Sequence, residues 1–123
     1  MADPDPNIFP AMRYGDPDSA LEWLSEAFGF AQRAVHRDEQ GVIRHAEMSL
    51  GAGTIMLGYG DPRSHSIYIA VDDADAHYAR ASAAGAEITR AIEDTPYGSR
   101  EYSARDLEGN AWSFGTYRPE PRV

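Results

Sequence analysis

The chain has 123 residues, of which 42% are hydrophobic and 25% charged, which is the size and composition of one ordinary globular domain. Twenty acidic residues against 11 basic ones leave a net charge of −9; such a surface repels phosphate backbones and anionic membranes and attracts cations. The absence of cysteine excludes disulfides, thiolate catalysis, cysteine-ligated zinc and iron–sulfur clusters.

Residues 1–6 alternate Asp and Pro and are expected to form a disordered tail. They place acids and prolines where a signal peptide carries basic and apolar stretches, so a cytoplasmic protein is expected. A strand is predicted over Ile8 to Tyr14. After Gly15, Asp16 is the expected N-cap of a helix with Pro17 at its first position. Leu21, Leu24 and Phe28 are placed on one helix side, and Gly29 ends it. Three strands follow, Ala31 to His36, Val42 to Leu50 and Thr54 to Tyr59, separated by Gly41 and by Gly51-Ala52-Gly53.

After a linker over residues 59–64 the order recurs. Ser66 to Val71 is a strand, and its apolar part is too short to cross a bilayer. Asp72 or Asp73 caps a second helix and Gly85 stops it. Strands are predicted over Ala86 to Ile92, Arg100 to Arg105 and Ala111 to Tyr117, with turns at Pro96-Tyr97-Gly98 and at residues 106–110. Residues 118–123 form a second tail. Asp16/Asp73, Gly41/Gly98, Gly53/Asn110 and Gly58/Gly115 each stand 57 residues apart (73 minus 16, for example), all read as turn or cap positions. The period implies two copies of a βαβββ unit, residues 7–60 and 65–117, within one domain spanning 7–117. The fold class is α+β: two βαβββ repeats forming curved mixed sheets, with helices on one face and a cup on the other.

Arg13-Tyr14-Gly15-Asp16 before the first helix, Ala27-Phe28-Gly29-Phe30 after it, and the segment from Arg105 to Gly115 near the end carry a resemblance to the vicinal oxygen chelate superfamily. That superfamily includes glyoxalase I, extradiol dioxygenases and bleomycin resistance proteins. The resemblance covers residues 7–117 and implies copies paired within a chain or between chains, hence a homodimer. In metal-dependent members, the first and fourth strands of each copy each give one His or Glu ligand. Open coordination positions remain there for a Lewis-acid step. Carried onto this chain, those positions are Phe9, Met56, Ser66 and Ser113. A phenyl ring, a thioether and two hydroxyls do not suit a hard or borderline divalent ion, so no metal and no cofactor is expected.

Strand alternation is consistent with that register. Ile8/Met12, Ile55/Leu57, Ile67/Ile69/Val71 and Trp112/Phe114 would lie under the helices. Phe9/Ala11, Thr54/Met56/Gly58, Ser66/Tyr68/Ala70 and Ser113/Gly115 would line the cup, whose character suits an organic ligand. His45 and Glu47 point to one side of their strand. Three roles are open to them: displaced metal ligands, polar pocket contacts, or a solvated strand face. His65 lies one residue from a ligand position and would turn inward after a one-residue slip. His36 and His77 read as strand-end and helix-surface residues. Arg100 either grips a ligand carboxylate or pairs with a surface acid. No phosphate-cradling loop and no nucleophilic triad is present.

Two functions are therefore expected in order. The first is a metal-free protein that binds, and so sequesters, an organic or cationic small molecule. Its pocket residues would be Phe9, Met56, Ser66, Tyr68, Ser113, His45, Glu47 and Arg100. The alternative is a metal-dependent lyase, isomerase or dioxygenase with ligands drawn from His45, Glu47 and His65. Metal-free catalysis by Tyr68 or Glu47 is a third reading.

Overall fold

The computed structural model describes residues 6–119; all but Pro6 of the first expected tail and residues 120–123 of the second lie outside them. The chain divides into two compact units, one formed by the residues up to His65 together with Pro119 and one by Ser66–Arg118. No helix of the described residues is long and apolar enough to cross a membrane.

The first unit runs β1 (Ile8–Tyr14), α1 (Pro17–Phe28), β2 (Ala31–Arg37), β3 (Ile43–Leu50) and β4 (Gly53–Tyr59). The sheet order is β2-β3-β4-β1, with β1 parallel to β4 and the remaining pairs antiparallel. The second unit repeats this with β5 (Ser66–Ala70), α2 (Ala74–Ala83), β6 (Glu87–Asp94), β7 (Arg100–Arg105) and β8 (Ala111–Gly115). Its order is β5-β8-β7-β6, with β5 parallel to β8. The fold is thus two βαβββ repeats of α+β type, as the 57-residue period predicts.

Local chemistry explains the helix bounds. The Asp16 carboxylate accepts from the Ser19 N–H at 3.1 Å and from its hydroxyl at 2.8 Å, satisfying a donor that the first helical turn leaves open. Asp73 does the same for the Ala76 N–H at 3.0 Å, which decides between the two candidate caps. Gly29 takes the left-handed conformation (φ 83°) and its N–H bonds to the Ser25 carbonyl. In α2 the cap is Ala84, and Gly85 follows it at φ 93°.

The helix face of the first sheet gathers Leu21 and Leu24 of α1 with Ile43, Ala46, Met48 and Leu57, and Met12, Tyr14, Val35 and Ile55 pack around them. Pro17, Ala20, Leu21 and Leu24 are the buried residues of α1, spaced for one stripe. Two expectations fail at the edges of this core. Phe28 is 58% exposed and Ile8 is 61% exposed. Both sit at the end of an element, where periodicity continues but the opposing layer does not. Phe28 packs instead edge-on against Trp23, ring centroids 4.8 Å apart.

The second unit fills its helix face differently. Tyr102 is fully buried, stacks on Phe114 at 4.9 Å and meets Tyr78 of α2 edge-on at 5.0 Å. His77, read as a helix-surface residue, is half-buried. Its ring lies 4.4 Å from that of Phe114, and its Nδ1 is 2.6 Å from the Tyr102 hydroxyl. Burial, and then the charge of Arg80, holds its pKa below the usual histidine value. The turn before β8 is organised by Asp106. Its carboxylate accepts from the Glu108 and Asn110 backbone N–H groups at 3.0 Å and from the Trp112 indole N–H at 3.0 Å. These bonds, the indole's foremost, lower its pKa to about 2.

Candidate functional site

With helices on one face, alternation assigns the opposite face of each sheet. In the first unit, Ala11 pairs with Met56 and Glu47 pairs with Met56 from the other side. A row of Ala11, Met56 and Glu47 therefore runs across β1, β4 and β3, on the side away from Leu57 and Met48. Phe9, two residues before Ala11, shares that face and is buried. Glu47 is only 3% exposed, and a buried carboxylate must be hydrogen-bonded to persist. Its Oε2 lies 2.7 Å from the His45 Nε2. The His45 ring in turn stacks on His36 at 5.8 Å, while Ser49 accepts from the Arg33 Nε at 2.7 Å. His45 and Glu47 are thus brought together beside Met56.

In the second unit the helix-free face carries Tyr68, Ser103, Ser113, Glu101 and Gly115. Tyr68 pairs with Ser113, Ser103 pairs with Ser113, and Glu101 pairs with Gly115. The Ser103 and Ser113 hydroxyls are 3.0 Å apart. Ser66 begins β5 and is half-buried. The buried Tyr68 donates its hydroxyl hydrogen to the Tyr117 carbonyl. Burial, reinforced by the Glu101 charge, pushes its pKa well above the usual phenol range, so Tyr68 is a poor proton donor at neutral pH and a hydrogen-bonding wall instead. This weighs against its use as an acid or base.

Glu101 and Arg90 were not singled out by sequence. Glu101 is 6% exposed; its Oε1 accepts from the Arg90 guanidinium at 3.0 Å and from the Tyr97 hydroxyl at 3.1 Å. Tyr97 has its own pKa raised, by burial first and then by the Glu101 charge. Glu101 pairs with Gly115 across β7 and β8. The Gly58/Gly115 pair is therefore no turn signal. Both lie within or at the end of strands, at close approaches that leave no room for a side chain.

Arg100 lies on the other side of β7 from Glu101. Its guanidinium is held by Asp75 of α2 at 3.1 Å and by Asp94 at 3.0 Å. Of its two candidate roles, the ion pair with surface acids is the one the structure displays. His65 turns its Nδ1 to the Pro62 carbonyl of its own linker, at 3.2 Å, and is exposed. Among the described residues no three His, Cys, Asp or Glu side chains gather where they could hold a metal ion. The resemblance's metal positions hold a phenyl ring and a thioether in the first unit and two hydroxyls in the second. These donors do not fit a divalent ion.

The chain was compared with known proteins. It matches the model of the Glyoxalase/Bleomycin resistance protein/Dioxygenase superfamily over residues 9–114. It is 27% identical over 126 residues to the uncharacterized protein Rv0887c of Mycobacterium tuberculosis, covering 90% of this chain and 74% of that one. A solved glyoxalase/bleomycin resistance protein/dioxygenase superfamily member from Vibrio splendidus is 19% identical, with 88% of this chain and 96% of that chain covered and a TM-score of 0.70. TioX from Micromonospora is 35% identical with 91% and 96% covered, at a TM-score of 0.40. With the family model spanning nearly all of both repeats, and the two βαβββ units in place, the chain belongs to the Glyoxalase/Bleomycin resistance protein/Dioxygenase superfamily.

Proposed function

We propose that the protein is a metal-free binder of an organic small molecule, preferentially a cationic one, which it sequesters on the helix-free faces of its sheets. The observation that carries this reading is the donor chemistry at Phe9, Met56, Ser66 and Ser113. Catalysis through a chelated ion needs several anionic or imidazole donors around one point. A phenyl ring, a thioether and hydroxyls instead offer apolar contact and neutral hydrogen bonds, the usual lining of an organic-ligand site. The net charge of −9 favours approach of a cation over an anion. The same reading includes a homodimer, as the family resemblance implies, located in the cytoplasm.

The test combines metal analysis with a ligand screen. Protein purified without chelator should contain substoichiometric nickel, zinc, manganese and iron, and added metal should not raise its melting temperature. Thermal-shift screening against metabolites and cationic antibiotics should yield stabilising compounds. A ligand at 100 times its dissociation constant adds about 2.7 kcal/mol of apparent stability. Stoichiometric metal that is lost on His45→Ala or Glu47→Ala would establish the metal-dependent alternative. Light scattering on the eluting peak decides the dimer, and a monomer mass at all concentrations removes it.

A further inference from the structure

The second unit holds a buried carboxylate that its own neighbours use only by half. The side chain of Glu101 lies across Gly115: a Cβ on that glycine would stand 2.6 Å from the Glu101 Cγ and 3.0 Å from its Oε2. The adjacent residues fix which face this is. Phe114 and Tyr102 stack on each other and meet His77 of α2, so Gly115 and Glu101 face the helix-free side. Oε1 is engaged by Arg90 and Tyr97. Oε2 makes no hydrogen bond with any described residue. No fully buried polar side-chain atom among the described residues lacks a partner, so Oε2 reaches the surface and is open to a donor. Two tyrosine hydroxyls stand near the carboxylate. The Tyr68 hydroxyl comes within 2.8 Å of the same Gly115 Cβ position, and Tyr97, bonded to Oε1, meets Tyr117 edge-on at 6.2 Å.

We infer that Glu101 is the anchor for the positive end of the ligand: its Oε2 accepts from an ammonium or amidinium group, with Tyr97, bonded to Oε1, beside it. The inference rests on the small-molecule reading above and deepens it by naming a ligand chemistry and a residue. A nine-tenths-buried carboxylate is poorly hydrated, so a charged donor recovers more free energy there than at an exposed acid. Tyrosine rings add attraction for a cation near their faces. Arg90 tempers the site, because its guanidinium competes for the same carboxylate while also pairing with Glu93 at 3.5 Å. Gly115 is required for the arrangement, since a side chain there would displace the carboxylate.

Benzylamine and benzyl alcohol, alike in shape and different in charge, make a suitable probe pair for an amide-resolved NMR titration at neutral pH. Benzylamine should move the amide signals of Glu101, Gly115 and Tyr97 and bind at least tenfold more tightly than the alcohol. Glu101→Gln should abolish that preference, bringing amine and alcohol to equal affinity, and Arg90→Gln should strengthen amine binding by removing the competitor. The opposite signs protect the test against a variant that merely loosens the fold. Equal binding of both probes at these amides overturns the cation anchor and leaves the small-molecule reading in place. An amine preference that survives Glu101→Gln overturns it as well. No binding of either probe at any amide counts against both.

Discussion

Replacing Tyr102 with alanine should lower the free energy of unfolding by about 4 kcal/mol, in the range found for deleting a large buried aromatic side chain. Tyr102 is fully buried and touches Phe114, Tyr78 and His77. Its neighbours cannot close the gap, because α2 buries only Ala74 and has no long aliphatic side chain to swing inward. Tyr102→Phe separates the packing from the hydrogen bond. It keeps the ring and leaves the His77 Nδ1 unpartnered, which should cost about 1–2 kcal/mol. Urea denaturation followed by tyrosine and tryptophan fluorescence measures both, and an alanine variant losing under 1 kcal/mol would contradict this account of the core.

The same cluster sets a pH dependence. The folded-state pKa of His77 lies below the ordinary value of 6.5, so the unfolded chain binds the proton more readily. The stabilising contribution of neutral His77 is complete above that value. It is lost as the pH falls from there through the folded pKa. Nδ1 stands 2.6 Å from the Tyr102 hydroxyl, and in the imidazolium it can only donate there. His77→Gln, which retains an acceptor and cannot titrate, should lose less stability than the parent protein between pH 7.5 and 5.5. Equal losses in the two proteins would show that His77 does not contribute.

Gly58→Ala should be the most damaging single-methyl change, costing about 3 kcal/mol at the upper end of overpacking effects. The added Cβ would stand 2.5 Å from the Arg44 carbonyl oxygen and 3.1 Å from its carbon. That obstacle is backbone of the neighbouring strand, so relief requires β3 and β4 to part. Gly115→Ala meets only the side chains of Glu101 and Tyr68, one of which is a flexible carboxylate. It should therefore destabilise by less, while moving the carboxylate and weakening amine binding. Chemical denaturation of both variants tests the ranking, and a Gly58→Ala variant as stable as Gly115→Ala would reverse it.

The legibility of the sequence differed between layers for identifiable reasons. β1 and β7 were predicted with the bounds observed, because Gly15 and Asp16 mark the end of one and the turns around Gly98 and Asp106 flank the other. The helix starts followed from Asp16 and Asp73, whose side chains cap locally and need no tertiary partner. Alternation gave Met12, Ile55 and Leu57 to one face and Phe9, Met56 and Tyr68 to the other. It could not say that Phe28 and Ile8 overrun the layer they should pack against. Nor could a helical wheel reveal that His77 packs on Phe114, since α2 is a run of alanines and charges with no dominant stripe. Arg100 and Glu101 are adjacent in sequence, and composition does not say which way each turns. The pairing of β7 with β8 sends Arg100 to the acids of α2 and β6 and lays Glu101 over Gly115.

What the sequence by itself determined is the repeat, the order of the elements and the residues that cap the helices. Each depends on residue identity or on contacts within a few residues. Only the tertiary structure decided which polar groups are buried and which oxygen of a carboxylate is already taken. Those outcomes depend on the pairing of strands and on competition among distant donors, as with Arg90 and Tyr97 at Glu101, and no periodicity in one chain encodes them in a form that can be read off directly.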